Sequence, residues 1–155
     1  MSYANSVSEV LRWARQLVVG TGKADTMQNP DALLYMSDAD EIINSMLSPI
    51  YAVPLNTITR ASRPDIYPDP IPLIAKRLSA GLMIKNVYTE IEPNASARGE
   101  EERAQAMDML SDFISGLVGG TARLAGQRLK SRNRFLPPGV YPNELPAKPA
   151  TVLGV

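Results

Sequence analysis

The sequence predicts a mainly α fold: a compact bundle of about four helices, a long proline-rich loop with room for a short strand or hairpin, and an extended C-terminal arm. Three observations lead to this prediction. Apolar residues make up 45% of the 155-residue chain, which is enough for a core. They recur at helical spacing in four stretches. Prolines instead gather in residues 52–70 and 136–155, where regular helices are therefore not expected.

The first two helices are predicted from their apolar stripes and their end residues. The first covers residues 6–19 and ends at Gly20, where a left-handed C-cap is common. The second begins with Asn29 as N-cap and Pro30 at the first helical position. It ends near Leu47 or Ser48, because Pro49 would remove a hydrogen bond from a helix interior. The stripe residues are Val7, Val10, Leu11, Ala14 and Leu17 or Val18 in the first helix, and Leu33, Leu34, Ala39, Ile42, Ile43, Met46 and Leu47 in the second.

The third helix is predicted from Pro72 to about Tyr88 and the fourth from about Glu100 to Gly116. Residues 90–99 are predicted to form a loop between them. Residues 100–102, all glutamates, would then lie in the first turn of the fourth helix, where the helix dipole favours acids. The side chains expected in the core are Ile42, Met46, Ile74, Leu78, Leu82, Met107, Leu110 and Ile114.

Residues 52–70 form an unusually long connection between the second and third helices, which is typical of a functional or mobile loop. Within it, residues 55–59 alternate weakly and predict a short strand. Residues 121–155 are predicted as a separate basic, proline-rich C-terminal arm that follows a helical domain of residues 1–120. The arm ends on an apolar stretch, residues 151–155, which favours an arm that attaches to a neighbouring subunit over a flexible leftover.

Charge divides the chain in the same way. Residues 1–120 hold ten basic and fifteen acidic side chains, whereas residues 121–155 hold six basic and one acidic, so the net charge is zero. An acidic body with a basic tail suits a partner with the opposite arrangement. The basic run 123–134 favours docking on a protein surface. Proximity to nucleic acid, through phosphate contacts, and a merely solubilising role both stay open.

The composition excludes several kinds of catalytic and metal-binding site. The chain has no Cys and no His, which excludes disulfides, thiolate or imidazole metal sites, and catalysis by His or Cys. Residues 17–24 mimic a phosphate loop, but Leu17 replaces its first glycine and Ala24 its hydroxyl residue. The acids Asp38, Asp40 and Glu41 are interpreted as a solvated helix face. We therefore expect no enzyme, no catalytic residues, no metal and no cofactor. With no apolar stretch of membrane-spanning length and no signal sequence, we expect a soluble chain synthesised in the cytoplasm.

The order of elements resembles the head–tail connector (adaptor, or head-completion) proteins of tailed bacteriophages, particularly the Mu-like type. An acidic helix leads into a Tyr-x-x-Pro corner and a variable loop; an apolar helix opening on Pro, a charged loop and a last helix ending in Gly follow. The resemblance covers residues 31–116. The matching residues are Glu41, Ile42, Leu47, Tyr51, Pro54, Leu55, Pro72, Ile74, Ala75, Leu78, Leu82, Ala104, Leu110 and Gly116.

The resemblance implies a structural virion protein that is located at the head–tail interface. It would form a homo-oligomeric ring of about twelve subunits, bind the portal protein and a tail-completion or tail-terminator protein, and help to retain packaged DNA. Double-stranded DNA would pass through the channel without sequence-specific binding, and no membrane would be involved. The alternative is a small helical nucleic-acid-binding or regulatory protein that uses residues 121–135.

Two sets of residues would carry the connector role. The first set would dock on the portal or on a neighbouring subunit, and the second would form an assembly loop that projects into the channel or toward a ring neighbour. The docking residues are Arg123, Arg128, Lys130, Arg132, Arg134, Tyr141, Leu145, Val152 and Leu153. The assembly-loop residues are Tyr51, Pro54, Leu55, Ile58, Arg60, Arg63 and Tyr67.

Overall fold

A computed structural model describes residues 2–4, 6–17, 28–60, 63–88 and 93–130. Its described part contains four helices and one hairpin, which confirms the predicted mainly α bundle. The elements are α1 (Val7–Leu17), α2 (Asn29–Leu47), β1 (Ile58–Arg60), β2 (Arg63–Ile66), α3 (Ile71–Tyr88) and α4 (Pro93–Val118). The predicted C-cap at Gly20 lies outside the described residues.

Helix α3 is the centre of the bundle and packs against α1, α2 and α4. Most of its residues between Ile71 and Ile84 are buried, as a helix surrounded by others requires. Ser79 is the one buried polar side chain among the side chains of α3 that the structure describes, and its hydroxyl donates to the Ala75 carbonyl at 2.7 Å. The predicted core residues Ile74 and Leu78 are fully buried here.

Helix α2 buries a stripe one residue away from part of the predicted one. Its buried residues recur every three to four positions, and Ile42 and Met46 lie beside them, only partly buried. Leu33 and Leu34, which the sequence placed in the stripe, are 56% and 58% exposed. Adjacent apolar pairs fit two neighbouring stripes equally well, and packing against α3 selects one. The buried residues of α2 are Ala32, Met36, Ala39, Ile43 and Leu47.

The start of α2 also differs slightly from prediction. Gln28, rather than Asn29, is the N-cap residue, and Pro30 lies within the first turn. The Asp31 carboxylate accepts the Gln28 backbone N–H at 3.1 Å, which satisfies a donor that the helix leaves unpaired. In α1, the predicted stripe is confirmed, with Val10, Leu11 and Ala14 buried.

Helix α4 begins at Pro93, about two turns before the predicted start at Glu100. The prediction of a loop over residues 90–99 was therefore wrong for 93–99, as was the placement of residues 100–102 in a first turn. Gly99 explains the error, because glycine usually indicates a loop but here it is buried at the crossing of α3 and α4. A Cβ on Gly99 would lie 2.6 Å from the Lys85 backbone N, and one on Gly81 would lie 2.7 Å from the Arg103 backbone N.

The long connection between α2 and α3 contains the hairpin. Strands β1 and β2 are antiparallel, with Ile58 opposite Ile66 and Arg60 opposite Arg63. The predicted strand over residues 55–59 thus overlaps β1 but begins three residues too early. Leu110 of α4 is fully buried in the common core, while the predicted core residues Leu82, Met107 and Ile114 lie partly buried around it.

Candidate functional site

The Tyr51 corner, which we define as residues 47–56 together with residues 121–130, is where the helical body meets the basic segment. Helix α2 ends at Leu47, whose carbonyl accepts the N–H groups of both Ile50 and Tyr51 at 2.9 Å. This turn directs the Tyr51 ring into the core, where it is 2% exposed. Its hydroxyl accepts the Leu124 backbone N–H at 3.0 Å, so the corner holds a residue far along the chain.

After α4, residues 121–130 run back to residues 47–56, the other half of the corner. The helix is closed by the Gly116 carbonyl, which accepts the N–H groups of Thr121 and Ala122. Gly120, directly before Thr121, makes the turn possible with a φ of 75°. Leu124 is 4% exposed and anchors the segment in the core. Gly126, at a φ of 69°, then turns the chain toward α2.

Two backbone hydrogen bonds fix the last described residues to the corner. The Ala52 N–H donates to the Arg128 carbonyl and the Lys130 N–H to the Ile50 carbonyl, both at 2.9 Å, forming an antiparallel bridge centred on Tyr51 and Leu129. The Gln127 side-chain amide adds two bonds: it accepts the Asn56 N–H at 2.8 Å and donates to the Asn56 carbonyl at 2.7 Å. These bonds therefore hold residues 127–130 in one register against residues 50–56.

Three of the predicted docking residues fall within the described part of the chain. Arg123 and Arg128 are exposed and Lys130 is partly exposed on the returning segment, with Leu129 beside them 54% exposed. The structure thus brings three of the predicted basic residues to the surface of the corner. The other predicted docking residues, Arg132, Arg134, Tyr141, Leu145, Val152 and Leu153, lie outside the described residues.

The predicted assembly loop is placed differently from expectation. Tyr51, Leu55 and Tyr67 are 2%, 4% and 7% exposed, so these side chains belong to the core and do not project toward a neighbour. The reason is that the loop lies against the helices, and burying large apolar side chains there removes their surface from water, which stabilises the fold. Pro54 is exposed and Ile58 is partly buried. Arg60 and Arg63 lie on β1 and β2, and their side chains are outside the described part.

The N-terminal residues hold the other side of the corner through a partly buried polar cluster. The Tyr3 hydroxyl donates to the Asn44 side-chain oxygen and accepts the Leu55 N–H at 2.8 Å. The Tyr3 ring meets Tyr67 edge to face, with centroids 4.8 Å apart. Asp40 accepts the Tyr3 N–H and the Ser2 hydroxyl, both at 3.1 Å. The sequence interpretation of Asp40 as a solvated residue was therefore wrong.

Burial sets the electrostatics of this cluster. Desolvation raises the pKa of Asp40, while the hydrogen bonds from Ser2 and Tyr3 oppose the rise. Desolvation also raises the pKa values of Tyr3 and Tyr67, and the Asp40 charge adds to both. We interpret the Asp40 carboxylate as a group that fixes residues 2–4 through its hydrogen bonds with Ser2 and Tyr3, and not as half of an acid–base pair. In the sequence, the one indication that Asp40 is partly buried is its position next to Ala39, a residue of the predicted apolar stripe.

Two of the three acids at 100–102, Glu100 and Glu102, pair with residues of the neighbouring helices. Glu100 contacts Lys85 at 2.6 Å and Arg103 at 3.5 Å, and the hydrogen bond from Lys85 is the main cause of its lowered pKa. Glu102 accepts the Trp13 indole N–H at 3.3 Å and lies 4.0 Å from Arg77.

The Trp13 ring in turn lies under two cations. The Lys76 Nζ is 5.0 Å and the Arg77 guanidinium carbon 5.4 Å from its centroid, so α1 is held to α3 and α4 by charge as well as by apolar packing.

Across the described ranges, no three His, Cys, Asp or Glu side chains converge in a way that would hold a metal ion. None of the described helices combines the length and apolar character that crossing a membrane requires. No protein-family model, curated protein or solved structure matches this chain.

Proposed function

We propose that the chain is a structural subunit of a tailed-bacteriophage head–tail connector. It would assemble into a ring at the head–tail interface, join the portal to the tail and help to retain packaged DNA. The sequence resemblance over residues 31–116 supports this proposal, together with the helical bundle that contains all of those residues except the undescribed 61–62 and 89–92.

The observation that carries the proposal is the Tyr51 corner. A ring subunit must present its attachment segment at the same place and angle in every copy, because closed symmetry repeats one interface. Here a buried tyrosine at the end of α2 and two backbone hydrogen bonds hold residues 128–130 in one register. The Tyr-x-x-Pro motif of the resemblance and the basic segment thus belong to a single structural unit.

The charge of the basic segment indicates which kind of partner surface it would bind. Arg123, Arg128 and Lys130 place positive charge on one segment of a body that is otherwise acidic. A basic edge favours an acidic portal surface or the acidic body of the next subunit. An acidic inner wall would repel the DNA phosphates, so that DNA passes without adhering.

Assembly with the portal tests the proposal. The full-length chain, mixed with the portal and tail-completion proteins of the same phage, is expected to form rings by native mass spectrometry and negative-stain electron microscopy. Arg128→Glu is expected to weaken ring or portal association, and Arg12→Glu, an exposed arginine on α1, serves as the matched control. If no ring forms with both partner proteins present, the connector proposal fails.

The exposed basic segment also supports a second candidate, a nucleic-acid-binding protein. Arg123, Arg128 and Lys130 stand within ten residues that contain no acid. If all three contact phosphates, the logarithm of the affinity for duplex DNA falls with the logarithm of salt concentration with a slope of about −3. Binding with that slope, together with failure to assemble with the portal, would favour this candidate over the connector.

A further inference from the structure

One side of α2 exposes two leucines beside two acids. We define this α2 face as Leu33, Leu34, Asp38 and Glu41, all of which are exposed, the leucines by 56% and 58%. At about 100° per residue, the four side chains fall within an arc of about 140° around the helix axis. Adjacent leucines in water offer apolar surface whose burial would stabilise a contact. The α2 face is therefore a candidate docking surface.

The charge of the α2 face restricts what can bind there. No Lys or Arg occurs between residues 24 and 59, whereas that stretch holds five acids. Asp38 and Glu41 take part in none of the ion pairs found among the described residues. Two α2 faces would repel each other, because both are acidic. A partner for this face must bring positive charge.

The Tyr51 corner carries a basic surface of matching spacing, Arg128 and Lys130. The antiparallel bridge to residues 50–52 holds both residues on an extended chain, and no acid occurs between residues 113 and 143. Side chains alternate along an extended chain, so Arg128 and Lys130 project on one side with Cα atoms about 6.6 Å apart. Asp38 and Glu41, three residues apart on a helix, have Cβ atoms about 5–6 Å apart. Each cation can therefore face one carboxylate.

The length of the two basic side chains suits the leucines as well as the acids. Leu34 lies about one helical turn before Asp38. Arg and Lys bury their methylene stems along apolar surface while their charged heads stay with polar partners. Stems that cross Leu34 would thus cover it while the heads reach the carboxylates. Leu129, which stands between the two cations in the chain and is 54% exposed, adds further apolar surface.

A second copy of the chain is the partner that these surfaces fit. Within one copy both surfaces are open to solvent, and no ion pair among the described residues joins them. The net charge of the chain is zero, so copies do not repel each other as whole molecules. We propose that Arg128 and Lys130 of one copy dock on the α2 face of a second copy and pair with Asp38 and Glu41. The contact needs neither portal nor tail protein and does not depend on the connector role.

Sedimentation velocity on the full-length chain tests the contact. In dilute buffer we expect reversible association with a Kd of about 0.1 mM, weak because the surfaces are small and the ion pairs exposed. Raising the salt concentration to about 0.5 M is expected to increase the Kd about tenfold, since salt screens the attraction. A chain that stays monomeric at about 1 mM in dilute buffer would overturn the proposal.

Reversing the charge of the α2 face tests its part in the contact. Asp38→Lys with Glu41→Lys is expected to raise the Kd about tenfold or more, because like charges then face each other. Asp108→Lys with Asp112→Lys changes the net charge equally at two exposed acids of α4 and is expected to leave the Kd unchanged. Equal weakening by both pairs would show that net charge alone governs association, and the proposal would fail.

Reversing both surfaces together tests whether they meet. Arg128→Glu with Lys130→Glu is expected to weaken association as the α2 reversal does. The fourfold variant, which adds Asp38→Lys and Glu41→Lys, has the net charge of the parent and is expected to recover most of the association. Circular dichroism checks that each variant keeps its helices. A folded fourfold variant that stays monomeric, or association that survives either reversal, would contradict the pairing. Since portal and tail proteins are absent, this outcome is separate from the assembly test of the connector role.

Discussion

The α3–α4 crossing and the Tyr51 corner hold the same chain together by different means. At the crossing, Gly81 and Gly99 let two helix backbones approach so closely that neither position has room for a Cβ. At the corner, one buried tyrosine and a few hydrogen bonds hold residues 121–130 against the end of α2. The crossing depends on the close fit of two helix backbones, whereas the corner depends on a few hydrogen bonds and one buried tyrosine. We therefore expect the corner to open without the bundle unfolding.

The largest effect is expected at the crossing. Gly81→Ala places a methyl group against the Arg103 and Gly99 backbones, and helix atoms cannot move aside as a flexible side chain would. The overpacking is expected to exceed the gain in helix propensity and lower the free energy of unfolding by about 2 kcal/mol. Urea denaturation followed by circular dichroism measures it.

Gly119→Ala is the matched control, because its nearest contact, the Ser115 carbonyl oxygen, lies at 3.3 Å. Equal losses of stability in the two variants would show that the crossing is not specially close.

The corner is expected to respond more weakly and more locally. Tyr51→Phe leaves the buried Leu124 N–H without an acceptor, which costs about 1–2 kcal/mol. The change should appear in hydrogen exchange as faster exchange of the Leu124, Ala52 and Lys130 amides, with α3 amides unchanged. Tyr35→Phe, at a partly buried position, is the control. Uniform acceleration across α3 and α4 would contradict the separation of corner from bundle.

A smaller effect is expected from Asp40, which fixes Tyr3 and, through it, Leu55 of the corner. Because burial raises the pKa of Asp40 in the folded state, protonation favours folding. The contribution is fully present below the ordinary value of 3.8 and is lost as pH rises through the raised pKa.

The parent protein should therefore gain stability relative to Asp40→Asn as pH falls from 7 through that pKa. Thermal or urea unfolding at several pH values measures the difference, with Asp38→Asn as an exposed control. A parent-minus-variant difference that stays constant with pH would contradict the assignment.

The smallest effect is expected from Glu100→Gln, which removes an exposed ion pair at the edge of the crossing. Such pairs contribute about 0.5 kcal/mol or less, and salt screens them. Urea denaturation should show a small loss of stability in dilute buffer and none in high salt. A large, salt-independent loss would mean that charge, and not close packing, holds α3 to α4.

Apolar spacing predicted the four helices because α1, α2 and α4 bury one face each and α3 is apolar on most sides, and both patterns repeat at helical spacing in the local sequence. It failed where neighbouring residues are alike in character, as at Ile42 and Ile43, since only the position of α3 distinguishes them. It failed again at Gly99, where a glycine serves a helix crossing instead of a loop.

The candidate site was only half predictable. Tyr51 and the basic segment both stood out, the first as a corner residue and the second by its charge. The contact between the two could not be predicted, because backbone hydrogen bonds such as the one between Ala52 and Arg128 leave no pattern in side-chain type. The burial of Tyr67 and Leu55 likewise depends on Tyr3, more than fifty residues earlier in the chain.

The bond between Tyr51 and Leu124 has a consequence for the order of folding. It joins positions 73 residues apart, and the entropy of closing so long a loop is recovered only after the intervening helices have formed. We expect the corner to form after the rate-limiting step, so that Tyr51→Phe would speed unfolding and leave the refolding rate almost unchanged. Stopped-flow kinetics across a denaturant series would show this as a shift of the unfolding limb alone. During synthesis on the ribosome, the same order means that the C-terminal end of α2 lacks its contacts with residues 121–130 until the last helix has emerged.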